Sequence, residues 1–444
     1  MLCSTTLRLL RFRSPRGPSS STAFFRNLKT FADAGISGGP TNQHISIDAD
    51  GKVCVDLTFV QEPLGLSASD GYGWPQFEFG EAIGPDKRYI IIRKLGARAL
   101  GWPAIKNEFV AVKGLTGYTT GLIHRGLVWE PEALRLLSRS SNTSPYCLKL
   151  LSSFTIPGKG SAGEHLCLVT QLLGGDVRSL HEWQNGKVFP LRLAKRILLH
   201  VLRGIAHAHR CGVVHTDLKH DNIFFDTGMS TTEFGKLLAS DPACRHPPEV
   251  SQDGIVQAAV SQPLPVPTLA EAMKRTYVVA DFGSAQPITN HQIDEITAFP
   301  LRPPENFIGG PWNEKVDIWT FGCLIFELVT SRGLFKYEPG PKLKLDETEN
   351  ILFQMICYTG EDFSEERLSA GRLAGKYFDS TCNLRADPDL INYPFELSIR
   401  VYNVIQESDI LSTAALMRQC LRLDPADRAS AEELLADPWF AGVD

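Results

Sequence analysis

His215-Thr216-Asp217-Leu218-Lys219-His220-Asp221-Asn222, followed downstream by Asp281-Phe282-Gly283, is the stretch that decides how this chain folds. Its spacing has chemical content. Asp217 is followed two residues on by a cation, Lys219, and five residues on by an amide, Asn222; Asp281 adds a second carboxylate. Phosphoryl transfer asks little covalent chemistry of a protein. It needs a carboxylate to orient or deprotonate a hydroxyl, a cation near the transferring phosphate, and oxygen ligands for Mg²⁺. The two motifs supply all three. Any one of these residues alone is an ordinary surface polar group; in this order and spacing the set is specific.

Outward from the motifs, Val110-Ala111-Val112-Lys113 ends an apolar strand pattern in a lysine. It matches V-A-I-K, whose lysine pairs with the α- and β-phosphates of ATP and with a helix glutamate. Glu130 and Glu132 compete for that role, and Glu132 is favoured because 132–137 continues as an apolar-faced helix. Arg302-Pro303-Pro304-Glu305 resembles the A-P-E that closes an activation segment. Asp317-Ile318-Trp319 resembles the D-x-W opening the next long helix, and Arg428 the late arginine that pairs with the A-P-E glutamate.

On these residues the chain resembles the eukaryotic Ser/Thr protein kinases over 88–441. Three features narrow the resemblance to the SR-protein kinases, in a fungal-type branch. Thr216 stands where the family usually has arginine, a spacer separates the two motifs, and Cys167-Leu168-Val169-Thr170-Gln171-Leu172-Leu173-Gly174 occupies the hinge position. The resemblance implies an α+β fold of two lobes, a small β-rich one and a large helical one. It implies ATP and Mg²⁺, with Asp217 as base, Lys219 as electrostatic stabiliser, and Asn222 and Asp281 as metal ligands. Lys113 and Glu132 would form the nucleotide clamp, with Gly96, Gly101, Ala111 and Leu173 on the ATP side and Thr170 as gatekeeper. Phe282, Gly283, Glu305, Asp317 and Arg428 would be structural, Asp317 bracing the catalytic loop. The partner implied is a protein substrate, in basic or Arg/Ser-rich context. The arginine replaced by Thr216 normally meets a phosphate on the activation loop, so control by loop phosphorylation is not expected and Thr297 is read as a substrate-facing loop residue. Two other classes remain open: a pseudokinase scaffold and a small-molecule phosphotransferase of the same broad fold. The R-P-P-E, D-I-W and late-arginine set speaks against the second.

The pattern fails at one place. A glycine-rich nucleotide loop reads G-x-G-x-x-G-x-V, whereas Gly96-Ala97-Arg98-Ala99-Leu100-Gly101-Trp102-Pro103 has Arg98 at the second glycine and Pro103 at the valine. A side chain at Arg98 hinders close approach of backbone to phosphate, and Pro103 lacks an N–H for a ladder. The run from Gly96 to Lys113 also reads as short for two strands and a turn. A working but unusual loop, a gene-model error and a degenerate kinase are the three explanations.

Composition bounds the rest. The 444 residues, 43% hydrophobic and 21% charged, suit one large two-lobed domain or two ordinary ones. Net charge is −5, but 1–32 carries Arg8, Arg11, Arg13, Arg16, Arg26 and Lys29 with no acid, so the body is more acidic than the total. That body does not suit direct nucleic-acid binding. The leader, basic and serine-rich, is either a mitochondrial presequence or an unstructured extension; the family resemblance points instead to cytoplasm or nucleus. No run reaches the ~18 apolar residues of a membrane span, and a monomer is expected. The ten cysteines form no C-x-x-C and read as reduced thiols. The segment 33–87 reads as a flexible lead-in, 88–173 as the small lobe and 174–441 as the large one, with a proline-rich surface insert at 226–275. Strands are expected at 53–60, 89–93, 109–113 and 165–173, and helices at 131–137, 193–209, 318–329 and 412–421. Asp346, Glu347 and Glu349 are either docking acids for an arginine-rich peptide or a solvated helix end.

Overall fold

The computed structural model describes residues 44–47, 53–56, 63–96, 99–103, 108–139, 143–291 and 293–443. The basic leader 1–32 and Arg98 lie outside the described residues. A short antiparallel pair, β1 (His44–Ile47) and β2 (Val53–Asp56), comes first. The small lobe is then one antiparallel sheet of β3 (Ala82–Ile83), β4 (Tyr89–Lys94), β5 (Ala99–Pro103), β6 (Val110–Gly114), β7 (Leu150–Pro157) and β8 (Glu164–Gln171), in the spatial order β3-β4-β5-β6-β8-β7. One face of it is set by strand alternation. Tyr89 and Ile91 of β4, Val110 and Val112 of β6, and Cys167 and Val169 of β8 pack together there under Phe77, Phe79, Phe154 and Ile156. The other face carries Ala111 and Lys113. Helices α1 (Gly117–His124) and α2 (Glu130–Leu137) follow β6.

Three expectations need correction. Residues 63–87 are not a loose lead-in: Leu66 is buried, Phe77 and Phe79 cover the sheet, and β3 pairs with β4. The Gly/Ser/Asp-rich composition hid these apolar anchors. The run Gly96 to Lys113 has room for two strands, because β4 and β5 already pair at Lys94 and Ala99, and Gly96 between them sits at φ +130° where a side chain is strained. Pro103 is tolerated because it closes β5 opposite Tyr89, beyond the last β5 residue paired with β6, Gly101. The apolar run 165–173 is two strands: β8 ends at Gln171, and Leu173 opens β9 (Leu173–Asp176) in a different sheet.

The large lobe contains α3 (Val177–Trp183), α4 (Leu191–Arg210), β10 (Val213–Val214) and β11 (Ile223–Asp226). In α4, Leu193, Ala194, Ile197, Leu198, Val201, Leu202 and Ile205 recur at helical spacing and are buried. Gly204 lets α4 lie close to its neighbours; a Cβ there would stand 2.7 Å from the Tyr146 carbonyl and from Val279 Cγ2. The segment between the central strands folds as α5 (Thr231–Ser240), the hairpin β12 (Glu249–Ser251) with β13 (Gly254–Val256), and α6 (Leu269–Ala272). The chain then enters β14 (Tyr277–Val279) and β15 (Gln286–Pro287), and continues through α7 (Lys315–Thr330), α8 (Glu347–Thr359) and α9 (Glu407–Cys420). All but two residues of α7 are buried, so it is the axis of the lobe. Asp346 and Glu349 form a capping box at the start of α8, so they serve the helix end; Glu347 faces outward.

Cys147, Cys167, Cys323, Cys357 and Cys420 are buried and form no disulfide, and burial pushes Cys167 up to about 12 and raises Cys147, Cys323 and Cys420. Such thiols stay protonated and inert. Among the described residues no helix is long and apolar enough to cross a membrane.

Candidate active site

Two strand pairs bring the motifs side by side. β10 pairs with β15 and β11 pairs with β14. Residues 215–222 join β10 to β11, and Asp281-Phe282-Gly283 joins β14 to β15, so the two loops share one frame. Asp317 in the first turn of α7 ties the first loop down. Its buried carboxylate accepts the backbone N–H groups of His215 (2.8 Å) and Thr216 (2.9 Å), and it lies 2.9 Å from His209 Nε2. Three partners offset the cost of burying that charge. His215 Nε2 donates to the Ala280 carbonyl (3.0 Å), its Nδ1 accepts the Asp217 N–H (3.2 Å), and its ring packs edge-on against Phe282 at 4.8 Å. The motif's first residue thereby links the two loops.

Asp217 is buried, with Lys219 Nζ 2.6 Å from its Oδ2 and Asn222 Nδ2 at 3.2 Å. Asn222 Nδ2 also donates to the Asp217 carbonyl at 2.8 Å. With the nitrogen of that amide engaged, the oxygen is the atom offered to a cation. Asp281 sits at φ +60°, a left-handed conformation that bends the chain between β14 and Phe282. Across the cleft, Lys113 Nζ is 2.7 Å from Glu130 Oε1 and 3.2 Å from Asp281 Oδ1. Glu130, not Glu132, is therefore the partner of Lys113. Glu132 stands outside the site, half exposed and paired with Arg135 at 3.1 Å. The reason is helical phase: Glu130, Ala133, Leu134 and Leu137 lie on the buried face of α2, and position 132 does not. That periodicity was the available signal.

Ala111 is buried in β6 opposite Leu100 and Thr170, and Leu173 is buried at the start of β9. Gly96 lies in the β4–β5 turn, whereas Gly101 lies within β5, opposite Ile91 and Val110. Phe282 is fully buried. Glu305 and Arg428 form a bidentate pair at 2.8 and 2.7 Å, with Arg428 wholly inside the lobe and over the Trp319 ring at 5.1 Å.

Thr216 and Thr297 do more than the sequence suggested. Thr216 is at φ +65°; its hydroxyl donates to the Ser284 carbonyl (2.7 Å), and its own carbonyl accepts from the Thr297 hydroxyl (2.8 Å). Thr297 is buried at φ +64°, so it does not face substrate but ties the activation segment to the catalytic loop. The first of these contacts uses the short hydroxyl side chain of Thr216, and the second uses its backbone. Nearby, Asp294, Glu295, Phe299, Arg302 and Tyr377 line a cavity of about 150 Å³.

Oxygen donors dominate the set of Asp281 and Asn222, which suits a hard cation such as Mg²⁺. The protein kinase domain family matches residues 104–241 and 268–440, well over half of the chain, skipping the middle of the insert and starting after the glycine-rich run. The Serine/threonine-protein kinase SRPK of Physarum polycephalum is 28% identical over 87% of this chain and 93% of its own length. Two Arabidopsis thaliana proteins, Serine/threonine-protein kinase AFC2 and AFC3, are 25% and 26% identical, over 94% and 80% of this chain and 88% and 82% of theirs.

Proposed function

The chain belongs to the protein kinase family and is a Ser/Thr protein kinase, and from that premise we propose the roles of its residues and the kind of protein it modifies. The observation that carries the assignment is the pairing of two clusters on one frame: Asp217 with Lys219 and Asn222, and Asp281 with Lys113 and Glu130. Asp217 takes or orients the proton of the substrate hydroxyl as it attacks the γ-phosphorus of ATP. Lys219, already on Asp217 Oδ2, stabilises charge on the transferring group. Lys113, held by Glu130, grips the α- and β-phosphates. Asn222 and Asp281 would hold Mg²⁺, which would supply positive charge against the phosphates. Ala111, Leu173 and the β4–β5 turn enclose the nucleotide. Gly96 supplies the turn with a backbone conformation in which a side chain is strained.

The substrate we propose is a protein serine or threonine in basic, Arg/Ser-rich context. The resemblance to SR-protein kinases supports this, as do the exposed acids Asp294 and Glu295 beside the activation segment, which suit cationic residues flanking the target. Phosphate transfer from ATP to a Ser-Arg repeat peptide is the test, beside a matched peptide with its arginines replaced by alanine. Asp217→Asn is expected to lower kcat by about 10²–10⁴, the usual worth of a positioned base. An Asp217→Asn protein as fast as wild type would end the catalytic assignment. Equal rates on both peptides would end the substrate assignment alone.

A further inference from the structure

The apolar alternation of β4 breaks at one position. Tyr89 and Ile91 are buried on the sheet's outer face, and past a shift in the β4–β5 register between Ile91 and Arg93 the next buried residue of the strand is Arg93, which is 1% exposed. A buried guanidinium requires partners, and among the described residues it makes three hydrogen bonds to the insert between β11 and β14. Nε donates to the Gln262 carbonyl (2.9 Å), Nη1 to the Asp241 carbonyl (2.7 Å), and Nη2 pairs with Asp241 Oδ2 (2.5 Å). The next residue is held too, since the Lys94 carbonyl accepts the Gln262 N–H at 2.8 Å. Gln262 also fixes the other side of the clamp, donating from Nε2 to Asp241 Oδ1 (2.8 Å) and to the Pro242 carbonyl (3.1 Å).

The same insert is anchored at both lobes. At its roots, the Thr276 N–H donates to Asp226 Oδ2 (2.7 Å), and Arg196 of α4 donates to the Arg275 carbonyl (3.1 Å). On the small lobe, Arg245 reaches Glu78 Oε2 (2.7 Å) and lies over the Phe79 ring, while Asp253 Oδ2 accepts from Ser161 N and Oγ. Phe234 of α5 meets Phe109, just before β6, with ring centroids 4.7 Å apart. The insert is thus a strap from the large lobe across the outside of the small one. Its tightest clasp grips the end of β4, two residues before the Gly96 turn.

We propose that Arg93 is a positioning residue for the nucleotide: clasped by Asp241 and Gln262, it fixes the β4–β5 turn relative to the large lobe, so that the strap sets the affinity for ATP from outside the cleft. The proposal rests on the assignment of that turn to the nucleotide. A loop with Arg98 in place of its second glycine gains less from its own chemistry, and external preorganisation substitutes for it.

The test compares Asp241→Ala, Arg93→Leu and Arg93→Lys with wild type, reading KM for ATP, KM for peptide, kcat, and the Kd of a fluorescent ATP analogue. Asp241 is about half exposed, so its alanine variant leaves the apolar core untouched. The expected result for Asp241→Ala and Arg93→Leu is a rise of about 3- to 10-fold in KM for ATP and in analogue Kd, from lost preorganisation, with kcat and peptide KM within about twofold. Arg93→Lys, which keeps the charge but not the fork, falls between. A purely structural role would lower the melting temperature without moving either nucleotide constant, and a folded Asp241→Ala protein with wild-type KM and Kd for ATP overturns the proposal even if Arg93→Leu fails to fold. If wild type transfers no phosphate yet the analogue Kd shifts as stated, the clasp stands and the catalytic roles assigned above fall.

Discussion

Lys113–Glu130 and Arg428–Glu305 are chemically alike, each a cation on a carboxylate at about the same distance, 2.7 Å. They differ in surroundings. Arg428 has no side-chain exposure and spends its remaining donors on the carbonyls of Arg422, Lys315 and Leu423. Lys113 keeps a path to the cleft and divides its charge between Glu130 and Asp281. The first pair is closed on every side and can only hold the lobe together. The second is completed by whatever enters the cleft. Chemical identity at the level of the ion pair therefore says little about role; the number of partners left to satisfy says more.

Removing one member of each pair tests this contrast most strongly. Arg428→Leu leaves Glu305 buried without its partner, and the expected cost is about 3–5 kcal/mol of stability, read from the urea midpoint. Adding Glu305→Met to that variant should restore much of the loss, because a buried pair replaced by apolar groups is often close to neutral. No recovery in the double variant would mean that the pair does more than satisfy itself. Lys113→Met should lower kcat/KM by about 10²–10³, the scale of a lost transition-state donor. Its stability cost should be smaller than that of Arg428→Leu, because the cleft admits water. A Lys113→Met protein that unfolds as readily as Arg428→Leu would erase the distinction.

Much of this was legible in the chain, because the catalytic loop, Asp281-Phe282-Gly283, Glu305, Asp317 and Arg428 occupy fixed intervals of sequence. Asp317 was read as a brace for the catalytic loop, and it bonds the N–H groups of His215 and Thr216. What was not legible depends on facing. Glu130 and Glu132 differ by two residues, which on a helix is nearly opposite sides, and reading the continuation of the helix instead of its phase chose the wrong one. Arg93 looked like an ordinary strand end because its partners, Asp241 and Gln262, lie far along the chain in a segment with no motif. Thr297 was placed by a missing arginine, but its position is set by Thr216, whose backbone geometry no local pattern specifies. The helix-phase error has its own test. Glu130→Gln should lower kcat/KM by about tenfold, the order of one weakened charge-assisted bond, while Glu132→Gln stays within about twofold. Equal effects would put the partner of Lys113 back in doubt.

The smallest effect lies at the edge of the catalytic loop and depends on pH. His220 stands between Asp221 (3.4 Å) and Glu327 (3.7 Å), at ion-pair rather than hydrogen-bond range. Burial works against its proton, but the carboxylates of Glu327 and Asp221 outweigh burial and the opposing Arg178, so its pKa is raised above the ordinary value. Asp176 also faces it, as does His181, whose own pKa is lowered by burial and by His220. A histidine bound more tightly to its proton in the folded state stabilises the fold fully below its unfolded pKa of about 6.5. That contribution is lost as pH rises through the higher folded value. The melting-temperature difference between wild type and His220→Gln should accordingly be widest near pH 5.5 and close toward pH 9. The same residue separates the two kinds of ion pair, since Arg428 cannot lose its charge in this range and its variants should show no such closure. A gap for His220→Gln that stays constant across the range would mean that the imidazole contributes by shape alone, with Asp221 served by Arg178 at 3.3 Å.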